Sequence, residues 1–206
     1  MAKDKDIVLE SFAALSVAKC LQRMSRASTG TWQVRGAKVS YGSVRDALKQ
    51  HDFSRQAAAV YLSLEGASPL TSAMFFSLAD TPCVSQCFTG QSFHRGERTT
   101  PAEEMMLIEL GNIVLNALVN AVLNALKRRH MPLIPRFAEG GLDALEAEFR
   151  RLPGLAQDFR IVTVGIEMTG GKCSARSEVV MLLPEEMALE LETAGASAGS
   201  HDGIQP

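Results

Sequence analysis

Asparagine is missing from this chain except at Asn112, Asn116, Asn120 and Asn124, all inside "ELGNIVLNALVNAVLNAL", residues 109–126. Other absences narrow the function first. No basic block is longer than Lys127-Arg128-Arg129, and the formal net charge is −2, so the electrostatic footprint of a nucleic-acid binder is lacking. There is no phosphate-binding P-loop, no G-x-G-x-x-G fingerprint and no G-x-S-x-G elbow. The four histidines, His51, His94, His130 and His201, show no ligand spacing. Of the four cysteines only Cys83 and Cys87 are close, and a C-x3-C pair without nearby histidines is weak grounds for a metal. Buried free thiols and no metal site are the expectation. The charged start leads into apolar residues broken by Glu10 and Lys19, unlike a signal peptide. Residues 113–126 are apolar, but asparagines interrupt them and the run is too short to span a bilayer. A soluble, cytoplasmic protein that binds neither nucleic acid nor membrane is expected.

What is present suits a compact core. The 206 residues are 46% apolar and 21% charged, enough for one domain or two very small ones. Residues 6–25 carry apolar positions at helical spacing, residues 31–41 alternate like a strand, and residues 43–50 open with a Ser-x-x-Asp cap signal. Two apolar runs flank Ala67-Ser68-Pro69 as a hairpin would, and a short helix near residues 82–88 stops at Gly90.

The second half runs through the same elements. Thr100-Pro101-Ala102-Glu103 is a helix start, and that helix is expected to continue to about His130, before Pro132. An extended stretch, a helix over residues 142–152, a hairpin across Thr169-Gly170-Gly171-Lys172 and a helix begun by Pro184 follow. The expected fold class is α/β in the α+β sense. Two half-repeats, about 6–90 and 100–194, each ordered helix–strand–helix–hairpin–helix, would form one pseudo-twofold domain over 1–194. They would share a mostly antiparallel sheet with the long helices on one face. A small, polar tail over 195–206 is expected to be flexible.

On a wheel of about 100° per residue, the four asparagines span an arc of about 120° with Glu109 in its middle. Leu107, Ile108, Leu115, Leu118, Val122, Ala125 and Leu126 lie on the other side, facing the core. An ordinary solvated face would use Glu, Lys, Arg or Gln. Four interior asparagines cost on the order of 2 kcal/mol of helix propensity. Either the amides bridge a neighbouring helix, the plainer reading for Asn120 and Asn124, or they are presented to a partner or a water molecule.

Glu109-Leu110-Gly111-Asn112 followed, after 22 residues, by Pro135 resembles a motif of the CheC, CheX and FliY phosphatases. That motif reads Asp or Ser, three residues, Glu, two residues, Asn, twenty-two residues, Pro. The family also has two similar halves, each led by a long helix, so the CheC-like resemblance covers residues 6 to about 194 and accounts for the repeat. Two departures stand out. Met105 occupies the Asp or Ser position. In the first half Asp6 and Glu10 match, but Ala13 and Gly36 replace the asparagine and proline, so one site per chain is expected.

The resemblance implies a phosphatase acting on the aspartyl phosphate of a CheY-like response regulator, in chemotaxis or related two-component signalling. Asn112 would place the attacking water, and Glu109 would ion-pair with a lysine of the regulator. Met105, Asn116 and Asn120 would extend the partner contact. The chain would need no cofactor of its own, because phosphate and Mg²⁺ come with the regulator. Two other readings use the same residues. One is an adaptor that binds a response regulator, a CheD-like protein or the flagellar switch without catalysis. The other is a small-molecule sensor or a plain homodimer with the asparagine stripe as a helix–helix seam.

Overall fold

A computed structural model describes residues 2–64, 69–93, 98–129 and 134–199. The chain runs α1 (Ala2–Ala27), β1 (Thr31–Gly42), α2 (Val44–Leu48), β2 (Ala57–Leu64), β3 (Leu70–Ser77), a 3-10 turn (Leu78–Asp80) and α3 (Thr81–Thr89). It then runs α4 (Pro101–Ala125), β4 (Arg136–Gly140), α5 (Leu142–Phe149), β5 (Phe159–Gly170), β6 (Cys173–Leu183) and α6 (Glu185–Gly199). The order of elements in the first half repeats in the second.

Among the described residues six strands join one sheet, ordered β1-β5-β6-β3-β2-β4, and each pairing is antiparallel. The order is a palindrome of the two halves. Each half contributes its hairpin to the centre, β5-β6 or β2-β3, and sends its single strand to the edge beside the other half's hairpin. Neither half therefore completes its own sheet. The central strands are buried on both faces, which explains why β2 and β3 read as nearly unbroken apolar runs.

Side chains alternate across the pleat. Ala58, Val60, Leu62, Met74 and Phe76 join the core beneath α1 and α4, together with residues of α3 and α6. Ala57, Ala59, Tyr61, Ala73 and Phe75 join a second core beneath the short helices α2 and α5. The long helices thus share one face. Helix α4, 25 residues long, meets the length and composition of a membrane span, but its apolar side packs against the sheet and α1, the place of a core helix.

Several boundaries differ from the sequence reading. Helix α4 ends at Ala125 rather than near His130. Lys127 takes a left-handed φ of 54°. Its N–H donates to the carbonyl of Asn124 (3.1 Å), and the Arg128 N–H donates to that of Leu123 (2.8 Å). This is a Schellman closure, usually marked by glycine. A lysine gives no such signal, so the stop was invisible in the sequence. Removing the Cβ penalty at this position is worth about 1 kcal/mol. Lys127→Gly is expected to raise Tm by about 2–4 °C in a thermal melt; a lowered Tm would contradict this closure.

Helix α6 continues to Gly199 instead of giving way to a tail at 195. The alanines at 194, 196 and 198 favour helix enough to carry it past Gly195. Helix α5 stops at Phe149, three residues early, where Arg150 caps it. The expectation of free cysteines fails in part: Cys83 and Cys173 form a disulfide, while Cys20 and Cys87 are free and buried. Spacing along the chain could not show this, because 90 residues separate the pair. The Ala67-Ser68 turn, Pro132, loop residues 94–97 and the tail beyond 199 lie outside the described residues.

Candidate functional site

Helix α4 begins where the sequence places it. The Thr100 backbone N–H and hydroxyl both donate to the Glu103 carboxylate (2.8 Å each), and the Glu103 N–H donates to the Thr100 hydroxyl (3.3 Å). This capping box, with Pro101 in the first turn, fixes the start. Just upstream, the Thr99 N–H and hydroxyl donate to the Glu139 carboxylate on β4. The edge strand of the same half therefore holds the helix N-terminus.

The depth of the helix is set by Gly111. A Cβ at this position would lie 2.6 Å from both Cβ and Cγ1 of Val60 on β2, so the helix backbone rests directly on the strand. Gly111→Ala gains helix propensity but forces α4 off the sheet, an overpacking cost of about 1–3 kcal/mol. The expected result is a Tm lower by several degrees, recovered in part by adding Val60→Ala. An unchanged Tm would show that the close approach does not position the helix.

With Leu110, Gly111, Val114, Leu115 and Leu118 buried below, the opposite side of α4 faces outward. Met105 is 73% exposed. Glu109, Asn120 and Asn124 are exposed, and Asn112 and Asn116 are half-buried. The residues named from the sequence thus share one outward stripe. Among the described residues, no second helix covers it as an intramolecular seam.

One interaction on the stripe was not anticipated. The Asn116 side-chain amide donates to the Asn112 carboxamide oxygen (2.6 Å) and to the Asn112 backbone carbonyl (3.0 Å). Asn116 therefore holds the Asn112 side chain. The i, i+4 spacing was the available signal, since residues four apart meet on a helix. A carbonyl oxygen has two lone pairs. Asn112 can accept a second hydrogen bond there, and its own NH₂ is a further donor. Pro135 is half-buried and leads into β4, beside the strand that α4 rests on.

The corresponding stripe on α1 is used for structure. The Glu10 carboxylate accepts from the Val39 N–H of edge strand β1 (3.1 Å). Asp6 accepts from the Tyr41 hydroxyl (3.3 Å) and lies 3.9 Å from the buried Arg160 guanidinium. That guanidinium also pairs with Glu185 and Glu192 and sits over the Tyr41 ring. Ala13, at the asparagine position, is 1% exposed. The twelve-residue β1 lies along α1, whereas the five-residue β4 leaves the matching part of α4 open.

Among the described residues, the one cluster of three or more metal-ligating side chains is Cys83, Cys87 and Cys173, none of them on the stripe.

No protein-family model and no curated protein matches the sequence. Solved structures do match in fold. FliY of Thermotoga maritima superposes with a TM-score of 0.66 at 10% identity, covering 94% of this chain and 96% of that one. A chain of a FliG–FliM complex from H. pylori gives a TM-score of 0.57 at 13% identity, covering 92% and 99%. The FliM middle domain from H. pylori gives 0.55 at 13%, covering 94% and 99%. At these identities the likeness is one of fold, and FliY is among the proteins of the sequence resemblance: this chain has the fold shared by FliY and the FliM middle domain.

Proposed function

We propose that this protein stimulates hydrolysis of the aspartyl phosphate of a CheY-like response regulator. What supports the reading is the outward pair on α4: an exposed Glu109 and, one turn on, a carboxamide at Asn112 whose oxygen is held by Asn116.

An acyl phosphate already carries a good leaving group, so the catalyst has mainly to place a water in line with phosphorus. A neutral carboxamide suits this task. The remaining acceptor site on the Asn112 oxygen takes a hydrogen from the water, and the NH₂ donates to the phosphoryl oxygens. Aspartate would repel the anion there. Holding Asn112 through Asn116 reduces the freedom lost on docking. Glu109 pairs with a lysine of the regulator and orients the two proteins. Phosphate, Mg²⁺ and most of the transition-state charge stabilisation belong to the regulator. On this reading the protein works in the cytoplasm with its partner, through one site per chain, because the acids of α1 are tied into the fold.

A second reading is favoured by one observation. Met105 places an exposed apolar side chain where the resembling motif has Asp or Ser, on a fold that the FliM middle domain also has. A chain that docks a regulator, a CheD-like protein or a flagellar-switch component without catalysis would need no acid there. The two readings separate in one assay, phosphate release from a CheY-like receiver charged with acetyl phosphate, with and without this protein. Faster release supports the phosphatase. Binding without acceleration overturns it in favour of the adaptor.

A further inference from the structure

Three of the four cysteines meet in space. Cys83 and Cys87 lie one turn apart on α3 and so share a helix face. Cys173 opens β6 just past the β5–β6 turn. The three sulfurs lie within 4.8 Å of one another. Cys83 and Cys173 are joined as a disulfide with Cα atoms 5.7 Å apart, and both are partly buried, whereas Cys87 is fully buried.

A disulfide needs two sulfurs, yet the third is held in place by features of its own. A Cβ on Gly30 would lie 2.6 Å from the Cys87 Cβ, and one on Gly170 would lie 2.9 Å from the Cys87 sulfur. The Gly30 N–H donates to the Cys87 carbonyl (2.8 Å), and the Thr29 hydroxyl donates to the Gln86 carbonyl (2.6 Å). Two glycines thus let backbone close around Cys87 and aim it at the other sulfurs. The cluster includes no carboxylate and no histidine.

We propose that, in the reduced chain, Cys83, Cys87 and Cys173 bind one thiophilic d¹⁰ cation of the Zn²⁺ or Cu⁺ type through three thiolates. Oxygen-seeking ions such as Mg²⁺ and Ca²⁺ do not suit an all-sulfur donor set. Thiolates about 2.3 Å from a common centre lie about 3.8 Å apart, so the Cys83 and Cys173 sulfurs part once their bond opens, and the Cys87 sulfur, within 4.8 Å of both, closes by no more than about 1 Å. The disulfide and the ion are alternative occupants. Opening the S–S bond takes two electrons and two protons from a dithiol reductant, which itself becomes a disulfide. The two thiols so formed and the free thiol of Cys87 lose their protons to solvent as the cation binds. In a reducing compartment the thiol form is the resting one. The ion would join α3 to the β5–β6 hairpin, as the disulfide does. The proposal shares no residue with the α4 stripe and does not depend on the phosphatase reading.

The test is an anaerobic titration of the full, phosphine-reduced chain with Co²⁺, followed by Zn²⁺. The expected result is one equivalent of Co²⁺ per chain with an intense thiolate-to-cobalt charge-transfer band, bleached by Zn²⁺. Cys87→Ser should weaken Co²⁺ binding by at least about tenfold. On reoxidation the same variant should still protect Cys83 and Cys173 from alkylation, which shows that it folds. Cys173→Ser, at a half-buried position, should weaken binding as well, and Cys20→Ser should not. Absence of the charge-transfer band in the wild type, or equal Co²⁺ affinity in Cys87→Ser and the wild type, would overturn the proposal.

Discussion

Replacing Asn112 with alanine is expected to remove stimulated dephosphorylation while leaving the fold and partner binding in place. The loss should be about 100-fold or more in the stimulated rate, because an unplaced water forfeits the orientation on which the reaction depends. Stability should not fall in parallel. Asn112 is half-buried, its one side-chain bond among the described residues is to a neighbouring helix residue, and alanine has the higher helix propensity. The Tm is therefore expected to stay level or rise slightly as activity disappears. Full activity in Asn112→Ala would end the assignment. Asn116→Leu provides a graded companion. It frees the Asn112 side chain without removing it, so kcat should fall less than in Asn112→Ala, with KM little changed.

Charge reversal at Glu109 should act on binding instead. In the docked complex Glu109→Lys would set one lysine against another, in place of a charge-assisted hydrogen bond. Disrupting such a pair at an interface costs about 2 kcal/mol or more, roughly a 30-fold rise in Kd. The affinity is best measured in the Asn112→Ala background, where the receiver keeps its phosphate during the titration. Higher salt should weaken the Asn112→Ala protein more than the protein that also carries Glu109→Lys, since the attraction is screened only where it exists. Wild-type affinity in the charge-reversed protein would remove Glu109 from the docking role.

Local chemistry was legible in the sequence. The Thr100–Glu103 box, the Ser43–Asp46 box of α2 and the stop at Gly90 all use side chains or glycine in ways that require no knowledge of the rest of the fold. The outward stripe was legible too, because helical periodicity alone separates Glu109 and Asn112 from Leu107, Leu115 and Leu118. What remained hidden depends on distant or unusual geometry. The crossing of edge strands between halves pairs β1 with β5, more than a hundred residues on, and no local pattern specifies it. The end of α4 rests on a lysine in a conformation that usually selects glycine. The meeting of Cys83 with Cys173 follows from α3 packing beside the β5–β6 hairpin. The bond from Asn116 to Asn112 lay within reach of the spacing, but four identical residues on one face did not show which of them holds which.

The central claim is that the α4 stripe enters the active centre of another protein. A crystal structure of this chain with a receiver carrying a stable phosphoryl mimic tests it most directly. The account predicts the Asn112 carboxamide within about 3.5 Å of a water in line with the mimic, and Glu109 on the receiver's active-site lysine. A receiver docked on another face, with Glu109 and Asn112 in open solvent, would contradict it.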